Sequence, residues 1–378
     1  LQEMHEEGAS FAVPSRLSCV KCDRQAVYAG CEGKMVAYCT ECYKSMVTHK
    51  FRSALGKRRV FKDGASKRTL LLFDGTSSSA FLLGQTIAAA TEDAHRRLAI
   101  QPTVLCLISV LDDEKISQAV LALAELRKKL SDGVGEQGWP LIVCHLSVIL
   151  SHELLLDGAN TSGQIVGLDE VSSLRSLLAT VSSSSSRTEL LRLLRERLVL
   201  QAASSLGISS ILLPDCADSL AHLSLSSLCQ GRGGQVGEMT SLVEKRRGLP
   251  VLIRPLKEIR TKEVGLSLRL FDWEKFIVKL KKEDGLPLLS STSSIQDATS
   301  NFIDTLHTEG FNATVSTVLG TSSKVHIETG VNSASCSLCL RSFRKPTDPT
   351  VQACLACSTV LSEVADTRPI RHLLSPSN

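Results

Sequence analysis

From Thr69 to Phe73 the chain reads TLLLF, and beyond a short stretch of small residues it turns apolar again over AFLLGQTIAAATEDAHRRL, now for the length of a helix. The alternation then recurs. TVLCLISV (103–110) predicts a strand, EKISQAVLALAELRKKL (114–130) a helix with apolar residues at spacings of three and four, and PLIVCHLSVI (140–149) a third strand. Further on, RTELLRLLRERLVLQAASSLG predicts a helix ending at Gly207, ISSILLP a strand ending at Pro214, and DSLAHLSLSSL another helix. Continuous apolar strands separated by helices imply a parallel sheet covered on both faces, which is the α/β class in a three-layer, doubly wound arrangement. In such sheets ligands sit beyond the carboxyl ends of the strands, where the loop after Phe73 lies.

The breaks are legible in the same way. VSSSSSR (181–187) predicts an exposed loop and GRGGQVGE (231–238) a flexible connection. LPLLSSTSSIQDATSNFIDTLHTEG predicts a serine-rich linker followed by a helix capped near Ser293 or Ser294, and RPIRHLLSPSN a tail. The expected division is an amino-terminal module over 1–50, an α/β domain over 51–290, a linker and helix over 291–329, and a carboxy-terminal ribbon with its tail over 330–378.

Composition narrows the class. A chain of 378 residues, 43% hydrophobic and 4% aromatic, can bury a substantial core. The segment LQEMHEEGASFAV is acidic and lacks a basic region followed by an apolar one, so no secretory signal is visible, and no run reaches the roughly eighteen apolar residues that span a bilayer. A cytosolic protein with no membrane partner is expected. The whole chain carries only +4, yet KFRSALGKRRVFKDGASKR (50–68) holds eight basic residues against the single acid Asp63. Arg52, Lys57, Arg58, Arg59, Lys62, Lys67 and Arg68 can therefore neutralise phosphates, and a nucleic-acid contact is expected there; the alternative is an ordinary solvated face.

The thirteen cysteines carry the clearest chemistry. In a reducing compartment they serve as ligands or buried apolar residues before they serve as disulfides. Cys19 and Cys22 (CVKC) are followed by Cys39 and Cys42 (CTEC); Cys336 and Cys339 (CSLC) are followed by Cys354 and Cys357 (CLAC). Each set can offer four thiolates to one tetrahedral zinc, a closed structural site with no open position for catalysis. Cys31 or His49 could replace one thiolate of the first set. Cys106, Cys144, Cys216 and Cys229 lie in or beside apolar segments and are expected to be packed in the core.

The loop after Phe73 has the shape of a phosphate cradle, strand then small residues then helix, but Asp74 puts a carboxylate where a phosphate would arrive. Two like unit charges about 4 Å apart at an effective dielectric near 20 cost on the order of 4 kcal/mol, half the binding free energy of a micromolar ligand. The order of features, a C-x-x-C pair module, KFR, a strand-loop-helix of the pyrophosphatase-loop type (adenine nucleotide alpha hydrolase-like), an α/β core and a second cysteine ribbon, resembles the cytosolic tRNA wobble-uridine thiolation proteins from Cys19 to Leu361. Within them it is most similar to the family of non-catalytic partners, the cytoplasmic tRNA 2-thiolation protein 2 family.

The resemblance implies the following. Catalytic relatives adenylate the base with ATP held by an S-G-G-x-D-S loop and pass sulfur through cysteines that in several members hold an iron–sulfur cluster. Their sulfur comes from a thiocarboxylated ubiquitin-like modifier, and their targets are lysine, glutamine and glutamate tRNAs. Laid on that loop, residues Asp74, Gly75, Thr76, Ser77, Ser78 and Ser79 keep only the first glycine and the last serine. Thr76 adds a β-branched side chain where backbone must approach a phosphate, and Ser78 lacks the carboxylate that could help hold magnesium. Serines 182–186 stand where relatives place a C-x-x-C pair, no cysteine occurs between Cys229 and Cys336, and Asp218 is the remnant of a later acidic motif. The expectation is a subunit with no catalytic residue of its own, two structural zinc ions, no ATP and no iron–sulfur cluster, which binds tRNA, forms a heterodimer with the catalytic subunit and can meet the sulfur carrier. Two alternatives stay open: an active ATP-dependent tRNA sulfurtransferase using Cys216 or Cys229, or a zinc-dependent adaptor unrelated to tRNA.

Overall fold

In the computed structural model the described residues are 18–31, 36–57, 67–92, 98–134, 138–151, 156, 165–278, 293–325, 333–344 and 352–374. A two-stranded hairpin, β1 (Tyr28–Ala29) and β2 (Ala37–Tyr38), leads into helix α1 (Thr40–Lys57). The core follows: β3 (Lys67–Phe73), α2 (Ser77–Thr91), β4 (Ile100–Ile108), α3 (Asp113–Val134), β5 (Leu141–His145), β6 (Ile165–Val166), α4 (Val171–Ala179) and α5 (Ser184–Ser205). It continues with β7 (Ser210–Leu212), α6 (Ala217–Cys229), α7 (Val236–Met239), β8 (Val243–Glu244), β9 (Val251–Ile253) and α8 (Thr261–Leu270). Helices α9 (Ile295–Thr308) and α10 (Thr314–Ser322), hairpin β10 (Ser333–Ser335) and β11 (Ser342–Arg344), and helices α11 (Leu355–Ser362) and α12 (Arg371–Leu374) complete the described chain.

Seven strands form one sheet in the order β6-β5-β4-β3-β7-β9-β8, parallel except for the edge strand β8. Side chains alternate across it, as the two-residue period of a strand requires. Leu71, Phe73, Val104, Cys106, Ile108 and Val143 face a layer built from α1, α2, α3 and α8. Leu70, Leu105, Leu107, Ile142 and Cys144 face the layer of α4 and α5, against which Val360, Ile370 and Leu373 also pack. This is the three-layer parallel α/β arrangement expected from the pattern of strands and helices. The chain winds outward from β3 in one direction and from β7 in the other, so the crevice where ligands sit in such sheets opens between the ends of those two strands.

Several expectations need correction. Serines 182–186 do not form an exposed loop: Ser183 caps α5, its hydroxyl accepting from the Ser186 backbone N–H at 3.2 Å, and Ser186 is buried. The GRGGQVGE segment is packed and partly helical, with Arg232, Gln235, Val236 and Gly237 buried. Residues 368–374 are no tail, because Ile370 and Leu373 are buried against α5's layer; 375–378 lie outside the described residues. The third strand stops at His145, whose ring accepts from Ser147 N–H at 3.1 Å and starts a 3-10 turn over Leu146–Leu150. Cys229 is exposed, whereas Cys106, Cys144 and Cys216 are buried. The helix cap falls at Ser294, and the linker ahead of it, 279–292, lies outside the described residues.

Candidate metal centres and the loop after Phe73

The first cysteine set is built by two tight turns. Cys19 and Cys22 sit in a turn that pairs with the hairpin, Val20 N–H bonding Ala37 O at 3.0 Å, while Cys39 immediately precedes α1 and Cys42 lies in its first turn. The Cys22 sulfur is 3.7 Å from both the Cys39 and the Cys42 sulfur. In the second set, Cys336 and Cys339 occupy the turn between β10 and β11, Cys354 precedes α11 and Cys357 lies in its first turn. There the Cys339 and Cys354 sulfurs are 3.9 Å apart, and Cys354 N–H donates to the Cys336 sulfur at 3.3 Å. In each set all four sulfurs lie within 4.8 Å of one another.

Those spacings can be set against two kinds of centre. Four sulfurs about 2.3 Å from a single tetrahedral ion stand about 3.8 Å apart along every edge. Four thiolates on a cubane cluster each bind a different iron and stand roughly 6 Å apart. Both sets match the spacing of one four-coordinate ion. Cys31, half-buried, is not part of the first set; burial pushes its thiol up to about 12, so it stays protonated near neutral pH. Among the described residues His49 is likewise outside the cluster.

The settings of the two centres differ. Cys22 and Cys42 are partly exposed, and α1 carries the first set onto the core through buried Tyr43, Val47 and Phe51 and through the Lys50–Glu263 ion pair at 2.8 Å. All four cysteines of the second set are buried. Against them lies a lattice of charges that the sequence reading did not find. Arg232 donates to the sulfurs of Cys354 at 3.7 Å and Cys357 at 3.4 Å and pairs with Glu189 at 2.9 Å. Glu189 also binds Arg192, which reaches Glu196; Glu196 meets Arg246 and Arg341. Glu244, with its side chain fully buried, accepts from Arg246, Arg254 and Arg341 at 2.5–3.1 Å. Burial pushes the Glu244 carboxyl up, but the three guanidiniums outweigh it and hold it at about 2. Of this lattice only the α5 residues Glu189, Arg192 and Glu196 show helical pairing spacing; Arg232, Arg246, Arg254 and Arg341 come from separate segments and carried no local signal. The EKRR (244–247) and RPLKEIRTK (254–262) runs give Arg246 and Arg254 to this buried lattice.

The loop after Phe73 is closed on itself. Gly75 has φ +79°, the left-handed region that favours glycine, and Thr76 caps α2, its hydroxyl accepting from Ser79 N–H at 3.3 Å. Asp74 Oδ1 accepts from Thr76 N–H at 3.2 Å and from the Thr76 hydroxyl at 2.6 Å, and Oδ2 faces Arg195 at 3.8 Å. The Ser79 hydroxyl donates to Thr76 O at 2.9 Å, whereas Ser78 makes no part of this set. The chain's own carboxylate thus sits at the mouth of α2, where a bound anion would. Asp218 is committed elsewhere, accepting from Thr261 N–H at 2.6 Å and from Arg260 at 3.1 Å. Buried Cys216 meets the Thr261 hydroxyl at 3.3 Å.

The described residues at the close of the basic run lie at the opposite end of the central strand from the loop. Lys67 and Arg68 open β3, and six or seven residues rising about 3.3 Å each separate them from Asp74 by roughly 20–23 Å. Arg52 is paired with Glu92 at 2.7 Å, Lys57 ends α1, and Arg58, Arg59 and Lys62 lie outside the described residues.

Among known proteins, a model of the family described as "Cytoplasmic tRNA 2-thiolation protein 2" matches residues 294–368. The chain is 35% identical over 322 residues to cytoplasmic tRNA 2-thiolation protein 2 of Caenorhabditis elegans, covering 85% of this chain and 88% of that one. It is 27% identical over 372 residues to the protein of that name from Bos taurus, covering 86% and 72%. Its fold is similar to that of the U34-tRNA thiolase NcsA from Methanococcus maripaludis, solved with its 4Fe–4S cluster: TM-score 0.58, 15% identity, 84% of this chain and 90% of that chain.

Proposed function

This chain belongs to the cytoplasmic tRNA 2-thiolation protein 2 family, and we propose that it is a non-catalytic subunit of the cytoplasmic machinery that 2-thiolates the wobble uridine of lysine, glutamine and glutamate tRNAs. In this reading it binds tRNA, pairs as a heterodimer with the catalytic thiolation subunit that receives sulfur from a thiocarboxylated ubiquitin-like carrier, and holds two structural zinc ions. Its four segments divide the work as the sequence suggests: cysteine modules over 1–50 and 330–378 frame the degenerate α/β domain over 51–290, with 291–329 between them.

The observation that carries this reading is the closed loop. A phosphate approaching the start of α2 meets Asp74, whose hydrogen bonds to Thr76 already use the donors that would greet it. The cysteine sets supply no substitute chemistry. With four thiolates on one ion no coordination position stays open, and the sulfur spacing favours zinc over the cluster named for the structural neighbour. Arg52, Lys57, Arg58, Arg59, Lys62, Lys67 and Arg68 would meet tRNA phosphates, with Lys67 and Arg68 at the end of β3 away from the loop.

The test is ATP–pyrophosphate exchange in the presence of substrate tRNA. The purified chain alone is expected to give none, and a mixture with the catalytic subunit is expected to give exchange and thiolated product. Exchange by this chain alone would reject the non-catalytic role.

A further inference from the structure

The charge lattice beside the second cysteine set does not balance. Six guanidiniums, those of Arg192, Arg197, Arg232, Arg246, Arg254 and Arg341, gather there, but the carboxylates they bind are the four of Glu189, Glu196, Glu244 and Asp215. Among the described residues Arg197 bonds only carbonyls, those of Ser337 and Leu373. Half-buried Glu238 feels Arg341, Arg246 and Arg254 as well but bonds none of the six among the described residues, and burial and the Glu244 charge push its carboxyl up. Uncompensated positive charge in a protein interior is costly, so an anion is needed close by. Arg232 shows where: its side chain is 0% exposed, Nη2 pairs with Glu189 and donates to the Cys357 sulfur, Nη1 donates to the Cys354 sulfur, and Nε–H has no partner among the described residues. Four neutral thiols offer no countercharge. Four thiolates on one divalent ion carry two negative charges in all.

We propose that the carboxy-terminal cysteine set holds its metal as a dianionic tetrathiolate whose built-in counter-ion is Arg232, so that this guanidinium is the positioning residue that retains the ion and ties it, through Glu189, to α5. The inference rests on the zinc reading above and adds to it an asymmetry. The amino-terminal set has no guanidinium bonded to its sulfurs among the described residues; there the sulfurs meet a backbone donor, Lys21 N–H at 3.4 Å from Cys19. The second ion should therefore be held by a charge-assisted outer shell that the first lacks.

The test uses the full chain carrying Cys19→Ser and Cys22→Ser, so that only the second centre is loaded, and follows zinc transfer to the chromophoric chelator pyridylazoresorcinol. Arg232→Met is expected to speed release roughly tenfold or more, the usual scale for loss of an outer-shell partner, and Arg232→Lys by less. The same proteins loaded with cobalt(II) give a second readout that a merely structural role would not move: losing N–H bonds to the thiolates shifts the sulfur-to-cobalt charge-transfer band to lower energy. Equal release and an unmoved band in Arg232→Met would overturn the proposal while leaving the zinc reading intact. If Arg232→Met does not fold, Arg232→Lys decides by the same two signals. A parent chain that folds but holds no zinc by elemental analysis would instead reject the zinc reading.

Discussion

The two cysteine centres have the same ligands and opposite surroundings. The first stands at the edge of the molecule, with Cys22 and Cys42 partly exposed, and reaches the core through one face of α1. The second is walled in: Leu193 of α5 packs against its cysteines, and Arg246 donates to Cys339 O at 3.1 Å. Identical chemistry thus gives a peripheral clip in one case and a piece of the interior in the other. The ligand set says which ion fits, whereas burial and countercharge say what its loss would do.

Single ligand substitutions should separate the centres most. Cys357→Ser leaves Arg232 buried with half its anionic environment gone, and breaking a buried charge pair from one side costs about 3–5 kcal/mol, a large part of a domain's stability. We expect little soluble protein and no cooperative transition. Cys22→Ser should lose one ion yet shift the main thermal transition by only about 1 kcal/mol, since Tyr43, Val47 and Phe51 still hold α1 on the core. Calorimetry beside elemental analysis reads both; equal losses would erase the distinction.

Glu244→Gln tests the lattice without touching a ligand. It strips the countercharge from three buried arginines and should cost about 3 kcal/mol in urea denaturation. It also carries a pH signature. The folded-state value, about 2, lies below the ordinary 4.5, so the carboxylate's contribution is complete above about pH 4.5 and disappears as pH falls through 2. The gap between wild type and Glu244→Gln should therefore narrow between pH 6 and pH 3; a constant gap would mean that Glu244 does not act as a charge.

Away from both centres, Gly84→Ala should cost about 1–3 kcal/mol, because an added Cβ would stand 2.3 Å from the Trp273 ring that packs on α2. A melting temperature unchanged within a degree would show that Trp273 moves aside freely. The smallest stability effect is expected at Asp74→Ser, about 1 kcal/mol for the lost bonds to Thr76. Magnesium-ATP titrated calorimetrically into that variant should still give no saturable heat, because Thr76 and Ser78 remain; saturable binding would show that Asp74 alone closes the loop.

The layers of the fold were legible because β3, β4 and β5 are unbroken apolar runs and α3 and α5 carry apolar residues at helical spacing. The three-residue strands β7 and β9 and the two-residue β6 and β8 are too short to show a period, so only β7, bracketed by Gly207 and Pro214, was anticipated. The serine run misled because small polar residues suit both a loop and a helix start, and what decided was the hydroxyl of Ser183 reaching Ser186 N–H. The cysteine spacing marked both candidate centres. The arginines that distinguish them could not be read from sequence, because Arg232, Arg246, Arg254 and Arg341 are buried only by virtue of partners distant along the chain. At those positions a charged residue normally reads as surface.

The most direct test of the account is the metal content of the full chain, purified without oxygen so that any iron is kept. Two tight tetrahedra of sulfur predict a colourless protein with about two zinc ions per chain and no iron, by elemental analysis on the protein as isolated. A brown protein with stoichiometric iron and sulfide would contradict it, and with it the reading of this chain as a scaffold that leaves the sulfur chemistry to its partner.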